Sequence, residues 1–142
     1  MPKFIADFFP NVANYWDIFL TALTATYQMF FIAGLITLLI GGAFGISLIV
    51  TKTDGIKPNR IIHFILEVIT NVFRAVPFII LLIFLIPLTR SIAGTSIGVK
   101  GAVVPLVFGA VPFYTRQVET ALADVKPGKI EAARSMGSST LG

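Results

Sequence analysis

His63 is the only histidine in the 142-residue chain, cysteine is absent, and the seven Asp and Glu residues are scattered from end to end. That inventory provides no thiolate nucleophile and no metal-ligand set, and it argues against a paired-carboxylate active site. The stretch GTSIGVK at 94–100 resembles a phosphate loop only on the surface, because its spacing is wrong and no Lys-Ser/Thr pair follows. What remains is non-covalent chemistry, concentrated in two places. Arg60, His63, Glu67, Thr70 or Asn71, and Arg74 recur at steps of three and four, which puts them on one stripe of a helix otherwise lined by Ile61, Phe64, Ile65, Val68, Val72 and Phe73. The second place is the closing stretch KPGKIEAARSMGSSTLG, polar and turn-rich after a long oily chain.

Each place has two readings. The stripe is either a gate or hinge in which Glu67 and Arg74 pair two turns apart, or an interfacial helix whose charges meet headgroups and water. Insertion of a charge at a bilayer centre costs about 2.5–3.5 kcal/mol. That cost favours the interfacial reading and excludes a stripe turned wholly toward lipid. In the closing stretch, Pro127-Gly128 predicts a type II turn, followed by a short helix from Ile130 to Met136 that Gly137 ends. Glu131 near its start and Arg134 near its end suit the helix dipole, and Ser138 can cap a second short helix. A helix this short does not hold in water alone, so it must dock. Ile130, Ala133 and Met136 or Gly137 form its apolar side, and Ala132 with Ala133 let its backbone sit deep in a groove, either of a partner or of the protein's own helices.

The elements that carry these residues are membrane helices. The chain is 56% hydrophobic and 13% charged, with a mean hydropathy of +0.89. A soluble domain carries about 25% charged residues, so this composition is that of an integral membrane protein. The net charge of +4 then reflects Lys and Arg retained on one side of a bilayer, and a nucleic-acid partner is not expected. Residues 1–17 form an interfacial lead-in and no signal peptide, with Phe4, Ile5, Phe8 and Phe9 as its apolar side and Tyr15 and Trp16 at headgroup level.

From Ile18 to Thr51 no charge occurs, which secures a first span. Gly41 and Gly45 frame a small-xxx-small pattern read as packing within the chain. TKTDGIKPNR at 51–60 is a hydrophilic turn. Residues 60–88 would make a helix of about 43 Å, longer than a bilayer core of about 30 Å, so the second span must tilt, leave the membrane or kink, and Pro77 marks the kink. A break at 89–101 precedes a third span over about 101–123, which bends at Pro105 and Pro112 and places Arg116, Glu119 or Thr120, and Ala123 on one face. Lys52, Lys57, Arg60, Lys126, Lys129 and Arg134 lie on one side of the membrane, against Lys3, Arg90 and Lys100 on the other. The N-terminus is therefore expected outside and the closing segment in the cytoplasm.

EAARSMG at 131–137 resembles the Glu-Ala-Ala-x-x-x-Gly loop of the membrane subunits of bacterial ATP-binding-cassette importers. Its glycine, its position after a membrane helix and the preceding Pro-x-x-x-Ile strengthen the match. NVFRAVPFIILLIFLIPLTRSIAGTSIG at 71–98 and AVVPLVFGAVPFYTRQVE at 102–119 resemble the methionine-importer permeases in particular, from about Tyr15 onward. The resemblance implies an all-α, polytopic type I importer bundle over 18–142, with three spans here and a coupling loop at about 126–142. Ile130, Glu131, Ala132, Ala133, Arg134, Met136 and Gly137 would couple to a cytoplasmic ATPase dimer. It also implies a second permease copy, an extracytoplasmic methionine-binding lipoprotein, a bacterial inner-membrane location, alternating access and no catalysis or cofactor of the chain's own, ATP being used by the ATPase. The family's loop runs on past its glycine to an Ile-x-Leu-Pro and further spans, so a chain ending at Gly142 is expected to be a fragment. The same coupling loop would serve a permease for another small solute, and a non-transporting scaffold that recruits a soluble partner would need a similar docking helix.

Overall fold

The computed structural model describes residues 9–125 and 127–137, and every regular element among them is helical. In chain order these are α1 (Pro10–Asn14), α2 (Trp16–Thr51), α3 (Arg60–Ala75), α4 (Phe78–Phe84), α5 (Ile86–Ala93), α6 (Gly98–Ala123) and α7 (Pro127–Ser135). α2 and α6 are each long and apolar enough to cross a membrane, and α3 with α4 makes a third path if the bent pair is taken as one span.

α2 has 36 residues, about 54 Å at 1.5 Å per residue. Apart from Thr37, its Ser and Thr hydroxyls bond back within the helix: Thr21 donates to the Asp17 carbonyl at 2.8 Å, Ser47 to Ala43 at 2.7 Å and Thr51 to Ser47 at 2.6 Å. Such back-bonding is how a helix carries hydroxyls where water is absent. The buried positions Ala33, Thr37, Gly41, Gly45 and Leu48 follow helical spacing and face α6 in the most extensive packing of the fold. A β-carbon on Gly41 would stand 2.9 Å from a Tyr114 ring carbon, and one on Gly45 would stand 2.6 Å from the Val118 β-carbon. The fully buried Thr115 donates to the Gly41 carbonyl at 3.3 Å. The small-residue pattern is thus a seam within the chain, between its first and last long helices.

The 52–59 turn closes the exposed end of α2. The Lys57 N–H donates to the Val50 carbonyl at 3.0 Å and the Asn59 N–H to Thr51 at 3.0 Å. Asn59 then caps α3, its side-chain oxygen accepting from the N–H groups of Ile61 and Ile62 at 3.2 and 3.1 Å.

The second span expected over 60–88 is not one continuous rod. α3 and α4 meet at 103° across Val76 and Pro77. Val76 is extended (φ −82°, ψ 124°), as a residue before proline must be, and Pro77 has no N–H for the helical ladder. The break expected over 89–101 is also shorter. α5 runs through Ala93, its Thr89 buried, and a left-handed Gly94 (φ 73°) ends it. Glycine, serine and threonine suggest a loop there, but packing against α6 keeps the first part helical. α6 continues unbroken through Pro105 and Pro112, both buried.

α7 starts earlier than expected. Pro127 is its first residue and Gly128 does not have a positive φ, so no type II turn forms. Proline suits a first helical position, where its missing N–H would have had no partner in any case. Gly137 does take the left-handed conformation (φ 85°), and the Met136 N–H closes the last turn onto Ala132 at 3.1 Å.

Candidate functional site

The polar stripe of α3 meets α6 at one guanidinium. Arg116 Nη1 donates to Glu119 Oε2 at 2.6 Å, one turn further along its own helix. Nη2 donates to Asn71 Oδ1 at 2.8 Å and lies 3.6 Å from Glu67 Oε1, both on α3. The Arg116 and Glu119 side chains are only 21% and 17% exposed, so water screens this pair less than it would a surface pair. Two carboxylates flank one fixed cation, and the planar fork of arginine reaches both helices at once.

His63 ties the same stripe to α2. Its Nδ1 is 3.0 Å from the Leu48 carbonyl oxygen, which can only accept, so Nδ1 carries the proton. Leu48 is among the last four residues of α2, whose carbonyls have no partner within the helix. The His63 Nε2 faces Glu67 Oε2 at 3.8 Å. Phe73 adds an apolar contact with Phe108 of α6, ring centroids 5.8 Å apart.

The stripe therefore splits. His63, Glu67 and Asn71 converge on the α2 and α6 pair, whereas Arg60 and Arg74 are exposed. The Glu67–Arg74 pair of the gate reading does not form among the described residues. Seven positions separate the two by about 10 Å along the helix axis, while Arg116 approaches from the side. Sequence reading put Arg116 and Glu119 on one face of the third helix but did not join them to the stripe. The available signal was a lone arginine in a largely apolar helix, which has to find a counter-charge.

The second constellation lies at the far end of α6, where α7 follows after three residues. Glu131 and Ala132 are exposed, Ala133 is half-buried, and Met136 at 81% and Gly137 stand in the open. The side chains of Ile130 and Arg134, and the whole of Lys126 and of 138–142 with the proposed Ser138 cap, lie outside the described residues. Between α7, the 52–56 turn and the ends of α2 and α6 is a cavity of about 500 Å³, lined by Ile49, Val50, Gly55, Leu122, Val125 and Glu131 among others. Glu131 thus borders the chain's own membrane helices, while Met136 and Gly137 at the other end of the segment are presented outward.

A bundle of long apolar helices with a short polar helix hung from the end of one of them is the architecture of a membrane-embedded protein. Residues 41–142 match the family of binding-protein-dependent transport system inner membrane components, and the chain belongs to that family. Among individual relatives, it is 46% identical over 116 residues to the D-methionine transport system permease protein MetI of Salmonella typhimurium, covering 82% of this chain and 54% of that protein. It is 45% identical, with the same coverage, to the protein of that name from Escherichia coli K12. It is 42% identical over 125 residues to the probable counterpart in Vibrio cholerae, covering 88% and 56%. A solved structure of inward-facing conformations of the MetNI methionine ABC transporter superimposes with a TM-score of 0.81 at 43% identity, covering 86% of this chain and 56% of that one. A second crystal form gives 0.79 at 44% identity, covering 84% and 55%. The chain spans about half the length of the curated relatives it matches.

Proposed function

We propose that this chain forms part of the permease subunit of an ATP-driven importer whose cargo is methionine. The observation that carries this reading is the Pro127–Ser135 helix with its left-handed Gly137, joined by a short link to a membrane helix in a chain like the D-methionine permeases over more than four-fifths of its length. In this reading α7 and Gly137 lie in the cytoplasm, and Ile130, Glu131, Ala132, Ala133, Arg134, Met136 and Gly137 dock on an ATPase dimer. The N-terminus lies outside the cell, where a methionine-binding lipoprotein delivers the cargo. Two permease copies line the path between them.

The chain performs no covalent chemistry in this scheme. ATP is bound and hydrolysed on the separate ATPase subunits, whose closure shifts α7 and, through α6, the membrane helices, so that the path opens alternately to each side. The long α2–α6 seam supports this role, because closely packed helices move together instead of deforming.

The test is uptake of radiolabelled methionine by vesicles containing the permease with its ATPase and binding protein, in competition with other amino acids. Methionine uptake that requires ATP, and that unlabelled methionine competes best, is the expected result. ATP-dependent uptake of a different solute would retain the importer and overturn the cargo. ATP-independent behaviour with no bound ATPase would favour the scaffold reading.

A further inference from the structure

Resting on the importer reading, we propose that Arg116 is the positioning residue that transmits displacement of the Pro127–Ser135 helix to α3. Arg116 lies seven residues before the end of α6, about two turns from the link that carries α7. Its guanidinium is one rigid plane with two attachments: Nη1 holds Glu119 on α6, and Nη2 holds Asn71 and approaches Glu67 on α3. α3 is otherwise held by the His63 bond to the Leu48 carbonyl, the Phe73–Phe108 contact and the buried Thr70.

These attachments differ in kind. The α2–α6 seam is close-packed and moves as a unit, but α3 packs on that pair less extensively and meets it through directional polar bonds. A charge-assisted bond weakens steeply as its donor turns away. Rotation or tilt of α6 driven from α7 therefore acts on α3 first through Arg116. α3 in turn carries the Val76–Pro77 corner, so a shift of its axis re-aims α4 beyond the 103° bend.

The experiment uses the complete transporter in vesicles and reads cargo taken up per ATP hydrolysed for Asn71→Ala, which removes the 2.8 Å bond to Arg116, Arg116→Gln and the double variant. Each single change is expected to lower that ratio by about tenfold, within the range usual for coupling between sites, while each protein remains folded and binds its ATPase. The double variant is expected to match the singles, because both remove the same link. Ratios equal to wild type, or losses that multiply in the double variant, would overturn the proposal. Should Arg116→Gln fail to fold, Asn71→Ala still decides, since Asn71 is exposed and its loss leaves the Arg116–Glu119 pair in place.

A second readout does not depend on the cargo. The natural sequence lacks cysteine over these residues, so spin labels at the exposed positions Phe64→Cys and Gln117→Cys report the α3–α6 distance directly. The Asn71→Ala change should broaden that distribution and abolish its response to ATP. An unchanged distribution that still responds would refute the role of Arg116, whereas failed methionine uptake by the wild type would refute only the cargo.

Discussion

Replacing Gly45 by alanine tests the helix seam on which the rest of the molecule is hung. The added β-carbon would lie 2.6 and 2.7 Å from Val118 side-chain carbons and 2.8 Å from the Thr115 carbonyl oxygen. Carbon atoms pack best at about 3.5–4.0 Å, so α2 and α6 must separate by about 1 Å at this level. Neither obstacle is a flexible side-chain end: one is backbone and the other a β-branched residue with a stiff χ1. Overpacking of this kind costs about 1–3 kcal/mol, and separation also stretches the 3.3 Å bond from Thr115 to the Gly41 carbonyl, which contributes about 1 kcal/mol. Against these stands the better helix propensity of alanine, about 1 kcal/mol. The net is a loss of about 1–3 kcal/mol. Gly34 on the same helix is the internal control, because a β-carbon there meets nothing within 4 Å. Its replacement by alanine should gain up to about 1 kcal/mol. The two variants should therefore differ by about 2–4 kcal/mol, measured as unfolding midpoints of the purified protein in one mild detergent. Equal midpoints, or a more stable Gly45→Ala, would refute the claim that this seam is close-packed backbone on backbone.

Other changes have equally definite outcomes. Gly137→Val forces a β-branched residue into a φ of 85°, a strain of about 1–3 kcal/mol, and should uncouple ATP hydrolysis from uptake; unchanged hydrolysis and uptake in vesicles would refute the docking role of this segment. Asn59→Ala removes the α3 cap and should cost about 1 kcal/mol, with Asn59→Asp close to wild type, as read from thermal midpoints. Thr37 is buried with a hydroxyl that finds no partner among the described residues, so Thr37→Val should leave stability unchanged or raise it by about 1 kcal/mol. A clear drop in midpoint for that variant would show that the hydroxyl is bonded in the assembled protein.

The Gly41 and Gly45 spacing was legible in the sequence as a helix contact, and the structure adds its partner, α6. The kink at Pro77 was legible too, because proline acts on its own backbone and on the residue before it. Its angle of 103° was not, since an angle between helices is set by packing beyond the corner, where Phe78 lies so close to Gly109 that a β-carbon there would come within 2.8 Å of the ring. Gly128 shows the opposite failure. Pro-Gly is permissive for a type II turn, but the same pair serves as the first two residues of a helix when the chain leaving α6 is directed that way.

Composition and local pattern alone established a membrane protein of apolar helices, the order of those helices, the polar stripe on α3 and a short closing helix stopped at Gly137. Each of these depends on interactions within a few residues, such as a helical hydrogen-bond ladder, a proline without an N–H or a glycine free to take positive φ. The joining of Glu67 and Asn71 to Arg116, in place of Arg74, depends on the packing of α3 against α6. Asn71 and Arg116 are 45 positions apart in the chain, and only the angle and depth at which two helices pack can bring them to 2.8 Å.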